Sequence, residues 1–206
     1  TQYRENATIL NPAAVESDFL AYGQPITVGA SYRSQWNGIA GNPRTQALRF
    51  SFIGDGSGAS LLTGGYIMND QTGPTGFTGI YGRIGAVISG DPEYSGLAVA
   101  ISGGLVQYRV NANEINLRDP NDVLGMNNQT EMFPDVGAGI YFYQMLSGAM
   151  DGDMFYAGVS VPQVAGIDLT FRNDDGEFAV QRVQHFYGMV GLYHFFRNDG
   201  FIEPSL

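Results

Sequence analysis

The stretch ITVGASYRSQW, Ile26 to Trp36, divides into two faces with a period of two. Ile26, Val28, Ala30, Tyr32, Ser34 and Trp36 fall on one side of an extended strand. Thr27, Gly29, Ser31, Arg33 and Gln35 fall on the other. The pattern recurs along the chain. In 44–53, Leu48, Phe50 and Phe52 oppose Thr45, Arg49 and Ser51. In 76–88, Ile80, Ile84, Ala86 and Ile88 oppose Gly79, Tyr81, Arg83 and Gly85. In 153–161, Phe155, Ala157, Val159 and Val161 oppose Tyr156, Gly158 and Ser160. Strands of this kind separate an apolar medium from a wet one. That medium is either a protein core or lipid, and a soluble β-sandwich or closed barrel with a solvated outer face shows the same alternation.

Length and punctuation favour lipid. Strands are expected at 26–36, 44–53, 60–69, 76–88, 95–110, 135–144, 153–161 and 183–196, with a ninth starting at Phe201. Most exceed the roughly 5–6 residues of a soluble strand and reach the roughly 9–11 that cross a bilayer. The turn sequences NGIAGNP, GDGSGA, NDQTGP, GDPE, DGD and RNDG separate them. Trp36, 141–143 and 195–196 place aromatics at strand ends, where an interfacial girdle belongs. One short helical turn is expected at 11–16, with Asn11 as cap and Pro12 in the first helical position.

The connections alternate in length. The first, third, fifth and seventh, at 37–43, 70–75, 111–134 and 162–182, include the two longest. The others, at 54–59, 89–94, 145–152 and 197–200, stay short. Outer-membrane barrels keep short turns on the periplasmic side and longer loops outside. The odd connections are therefore expected outside and an N-terminal arm, 1–25, in the periplasm.

Composition narrows the function classes. A net charge of −10 argues against nucleic acid as a partner. Charged residues are only 15%, and all ten basic residues are Arg, so little of the chain resembles an ordinary soluble surface. Without Cys there is no disulfide framework and no thiolate chemistry. No apolar run approaches the roughly 18–20 residues of a membrane helix.

Arg33, Arg49 and Arg83 share the polar face. They are either a basic lumen stripe that holds an acidic plug or polypeptide, or solvated lumen charge. If 37–43 joins the first two strands, Arg33 faces Ala47 and Ser31 faces Arg49. Arg33 and Arg49 then lie diagonally and need water or an acidic partner.

Several phrases occur in an order that resembles one family: NPAAVES, YRSQWNGIAGNPRTQALRFS, NDQTGPTGFTGIYGRIGAVI, RDPND, FPDVGAGIYFY, FYAGVSVPQV and EPSL. The family is PorP/SprF, outer-membrane proteins of the type IX secretion system and its gliding-motility branch. The resemblance covers nearly the whole chain, and 32–36 with 43–46 is its most specific part. It implies an all-β, antiparallel, up-and-down transmembrane barrel that does no chemistry and needs no cofactor. It also implies support for secretion or attachment of large surface adhesins or other type IX cargo, together with a periplasmic lipoprotein or peptidoglycan-binding partner. Family members continue past the PSL element with more strands. Residues 26–206 are therefore expected to form part of a larger barrel, or one whose missing wall comes from another chain.

Two other functions stay in view. A wet, Arg-lined lumen suits a passive channel for small anions. An outer-membrane hydrolase would need His194 near Ser160. His185 and His194, nine apart on one expected strand, point to opposite faces and are read as aromatic fill or interfacial residues. The acidic turns at 119–122, 151–153 and 173–175 lack the spacing of a calcium loop and read as solvated turns, and Asn6 and Asn128 carry glycosylation patterns without weight in a bacterial outer membrane. Gly137 and Gly139 precede no helix, so they form no phosphate loop. They let strands tilt, or let something pack against the wall.

Overall fold

A computed structural model of the chain describes residues 6–111, 129–147, 152–164, 168–173, 176–181, 183–196 and 200–206. Two short helices, α1 (Ala7–Leu10) and α2 (Ser17–Tyr22), precede β1 (Ile26–Ser34), β2 (Arg44–Ile53), β3 (Gly58–Thr72), β4 (Thr75–Ser89), β5 (Ser95–Val110), β6 (Gln129–Met145) and β7 (Met154–Val161). Then follow β8 (Asp168–Asn173), β9 (Gly176–Gln181), β10 (Tyr187–Phe195) and β11 (Phe201–Ile202). Nine strands form one antiparallel meander in the order β1-β2-β3-β4-β5-β6-β7-β10-β11, and β8 and β9 form a separate hairpin. The large sheet is not closed: β1 and β11 are its edges. Among the described residues no helix is long and apolar enough to cross a membrane.

The period-two pattern becomes two faces of very different character. On the outer face, cross-strand neighbours form apolar rows. Leu48, Ile67, Ile80 and Leu105 make one, and Ile84 and Ile101 sit in another. All are exposed: Ile84 is 57% and Ile101 58% accessible. Contiguous apolar surface of this extent does not face water in a soluble monomer. One row higher the chemistry changes, with Gln46, Asn69, Thr78 and Gln107 side by side. In β2 and β5 the outer-face positions carry charge only at the strand tips, as Arg44 and Arg109. This is the belt of a membrane-spanning sheet, and its polar row marks where the 15- and 16-residue strands β3 to β5 rise out of it.

The inner face holds the core. Leu62, Val87, Ala98, Ala100, Tyr141, Tyr143, Tyr156 and Tyr193 pack there against Ala13, Ala14, Val15, Phe19 and Leu20 of the N-terminal arm. A second cluster of Tyr81, Val106 and Phe133 fills the other end of that face, where Tyr66 stacks on Tyr81 at 4.6 Å.

Several local expectations change. β1 and β2 pair with Arg33 opposite Thr45 and Gly29 opposite Arg49, a slide of two residues from the expected register. Faces survive a slide of two, because side chains alternate with that period. Its cause is a wider connection. Gln35 N–H donates to Pro43 O, and Trp36 adopts a left-handed conformation (φ 53°) that turns the chain early. The expected 70–75 loop shrinks to Gly73 and Pro74, with Gly73 at φ 54°. Ladder pairing and the Asn69 Nδ2 to Thr78 Oγ1 bond (2.8 Å) override the turn-like composition there. The expected helical turn at 11–16 is absent. Asn11 has extended backbone, and its side chain is engaged elsewhere. The hairpin β8–β9 occupies what reads as a loop, and β10 starts at Tyr187, so His185 lies before the strand. Of the acidic turns, 119–122, Asp151 and 174–175 lie outside the described residues, as does Asn128.

Candidate functional site

The arm occupies the inner face. It enters beside the short connections 54–57 and 90–94: Pro25 O accepts from Ile53 N–H (2.9 Å), and the Tyr22 and Phe201 rings meet edge-on at 6.4 Å. α2 ends at Gly23, whose φ of 64° closes the helix. From there the arm reaches mid-sheet, and every residue from Asn11 to Glu16 is buried.

Three polar groups hold it. Asn11 Nδ2 donates to Ile140 O (3.1 Å), and its Oδ1 accepts from Ala13 N–H (2.9 Å). Facing it are Gly139 and Gly158, where a Cβ would collide with the Asn11 amide. Gly139 of β6 and Gly158 of β7 thus make room for the arm, while Gly137 lies against Ser102 and Pro162 instead. Ser160 Oγ donates to Leu10 O at 2.7 Å. Arg83 is the largest anchor. Nη1 donates to Pro12 O (2.8 Å) and Ala14 O (2.7 Å), and Nη2 donates to Ser51 Oγ (2.6 Å). One guanidinium therefore satisfies two carbonyls of a non-helical turn that the sheet cannot reach, which matches the fork of Arg donors.

Beside it, the Arg49 guanidinium and the Glu16 carboxylate approach to 3.5 Å, both buried. Arg49 lies over Gly29, where a Cβ would overlap its Cζ. The acidic partner that the polar-face arginines require comes from the arm. Arg33 is not part of this group. It is exposed, four residues along the ladder from Arg49, about 13 Å at the rise of a strand. Trp36 is 68% exposed in the β1–β2 connection, beside the Ser34, Asn37 and Asn42 side-chain network.

Burial raises the Glu16 carboxyl above its ordinary 4.5, while Arg49 and Arg83 pull it down. The folded chain thus holds this proton more tightly than the unfolded chain. Between 4.5 and the raised value the fold binds more protons, so this group's contribution to stability falls as pH rises through that window. The difference in urea midpoint between wild type and Glu16→Gln is expected to move toward the variant across that window and then level off. A difference independent of pH would contradict the assignment.

His194 and Ser160 are not brought together. Ser160 pairs with Tyr187, and His194 lies seven positions further along β10 on the opposite face, roughly 23 Å away. His194 Nδ1 instead meets the buried Asp153 Oδ2 at 2.8 Å. Among the described residues no group of three His, Cys, Asp or Glu could hold a metal ion. The residues that sequence reasoning missed are Asn11 and Glu16. Their signal is an uncharged run, NPAAV, that begins at Asn11, is followed by Glu16 and is too short for a membrane-crossing strand.

The family described as Type IX secretion system membrane protein PorP/SprF matches residues 1–206. No curated protein and no solved structure matches the chain. With an apolar belt on one face of an antiparallel sheet and the family spanning every residue, the chain belongs to the PorP/SprF family of type IX secretion system outer-membrane proteins.

Proposed function

We propose that this chain does no chemistry. It serves as a plugged outer-membrane barrel, docking a secreted surface adhesin or other type IX cargo and linking it to a periplasmic lipoprotein or peptidoglycan-binding protein. The observation that carries this reading is the arm: Asn11 to Glu16 fill the inner face and are tied to it by Asn11, Glu16, Arg49 and Arg83. An occupied interior leaves the two ends as the working surfaces. The connections at 111–128 and 162–186 would face outside, with Trp36 at that interface. The arm would enter from the periplasmic end. Support for this orientation comes from the longer connections lying at one end and the arm entering at the other.

The packed arm weighs against a passive anion channel, although Arg49 and Arg83 would line such a path if it withdrew. The separation of Ser160 from His194 weighs against a hydrolase. The test is crosslinking in intact outer membranes, affinity capture of the chain and mass spectrometry of what accompanies it. Reproducible recovery of a large surface protein or a cell-wall-binding periplasmic protein is the expected result. Recovery of the barrel alone, with steady anion current in planar bilayers, would replace this reading with the channel.

A further inference from the structure

The two arginines at the strand tips of the outer face stand in one row. Ladder pairing sets Ser34, Arg44, Gln71, Gly76, Arg109 and Thr130 side by side from β1 to β6. This row lies two residues, about 7 Å, above the polar row of Gln46, Asn69, Thr78 and Gln107. Arg44 and Arg109 are both exposed and stand three strand spacings apart, about 14 Å. The Arg109 guanidinium leans over β4 toward Arg44, since a Cβ on Gly76 would touch its Nε and Nη2 at 3.9 Å. Arg44 Nε donates to Asn42 Oδ1 at 3.2 Å. Among the described residues, no acidic side chain falls on the outer face of β1 to β6. A furrow of about 440 Å³ runs down that face below Arg44. Tyr32, Gln46 and Asn69 line it nearer the arginine, and Ala30, Leu48 and Ile67 line it further down.

We propose that this rim binds a phosphorylated glycolipid of the outer leaflet, one that carries two phosphates on a sugar headgroup. The phosphates sit at Arg44 and Arg109, the sugar lies over the polar row, and an acyl chain follows the furrow. Four features select that class. The outer face of β1 to β6 carries charge of one sign and in one row, in a chain whose net charge is −10, and a local excess of cations attracts an anionic headgroup. The guanidinium fork pairs with phosphate through two parallel bonds, and two such forks set this far apart suit two phosphates better than the single one of a glycerophospholipid. The amides and hydroxyl of the polar row offer donors and acceptors to sugar hydroxyls and acyl carbonyls. The furrow then continues into the apolar belt, so headgroup and chain are met in the order in which a bilayer presents them. The choice of leaflet rests on the orientation proposed above, with the Trp36 end outside.

The test uses the full chain in detergent micelles and purified diphosphoryl lipid A as the probe, read by native mass spectrometry. Saturable binding of one lipid per chain is expected. Arg44→Gln combined with Arg109→Gln should weaken it roughly tenfold or more. Arg33→Gln, the same loss of charge on the inner face, should leave it within about twofold. Phosphatidylglycerol and lipid A stripped of its phosphates should both bind more weakly, and excess inorganic phosphate should not displace the lipid. Absence of saturable binding, unchanged affinity in the double variant, an equal loss in Arg33→Gln, equal affinity for either comparison lipid, or displacement by inorganic phosphate would overturn the proposal. Orientation is read separately: a membrane-impermeant maleimide should label Ile39→Cys on intact cells. Labelling without lipid A binding would overturn the site and leave the orientation standing. Binding without labelling would put the rim in the other leaflet and overturn the glycolipid as its occupant.

Discussion

Replacing Arg83 by methionine is expected to cost the folded protein about 3–5 kcal/mol, the range for breaking a buried charged network by removing one partner. The side chain is buried and makes three hydrogen bonds. Methionine fills much of the space but donates nothing. Pro12 O and Ala14 O would then be buried carbonyls without that donor, and Glu16 would lose one of its two arginine neighbours. Each such loss is a desolvation cost with no return. The effect should be read two ways: as a lower urea midpoint for the barrel in detergent, and as faster protease cleavage between Asn11 and Gly23. Arg33→Met is the control. Arg33 is exposed, so that change should stay within about 0.5 kcal/mol. Equal effects at the two positions would mean that the arm is not held as described. The same geometry bears on removal of the whole arm, 1–25. The arm supplies part of the core, so its removal should impair folding itself.

The second large effect lies on the other face. Ile84 is exposed and central in the outer belt of β4, between Ile80 and Ile88. In a soluble protein an exposed Ile→Arg change is nearly neutral. In a bilayer, Ile84→Arg should cost about 2–4 kcal/mol, because the guanidinium must be dragged to the interface or carry water with it. Gln107→Arg, in the polar row that bounds the belt, should cost about 0–1 kcal/mol. Folding titrations in lipid vesicles measure both. The gradient with depth is the discriminating quantity, since a soluble sheet has none.

The features legible from sequence were those that repeat. Val28, Leu48, Ile80 and Val159 announce the lipid face because every second residue obeys one rule, and an error of two in register leaves that rule intact. The arginines were legible as polar-face charge for the same reason, and Arg49 and Arg83 proved to have a common partner. What escaped depends on single contacts. Trp36 in a left-handed conformation is not suggested by its residue type, so the β1–β2 register slid. Asn11 read as a helix cap because Asn before Pro is a helix-start signal. Its amide is taken instead by the Ile140 carbonyl, 129 residues away. The hairpin β8–β9 was hidden behind NDDG, a sequence as good for a solvated loop as for a two-residue turn.

The most direct test of the account is solvent accessibility along β5. The native chain has no Cys, so single cysteines from Leu97 to Leu105 can carry spin labels in lipid vesicles, one at a time. Collision with lipid-dissolved oxygen and with a water-soluble nickel chelate is then measured at each position. The account predicts a period of two. Labels at 97, 99, 101, 103 and 105 should collide with oxygen and not with nickel, and those at 98, 100 and 102 should be shielded from both by the arm. Nickel access at the odd positions would put water where this account puts lipid and would contradict it.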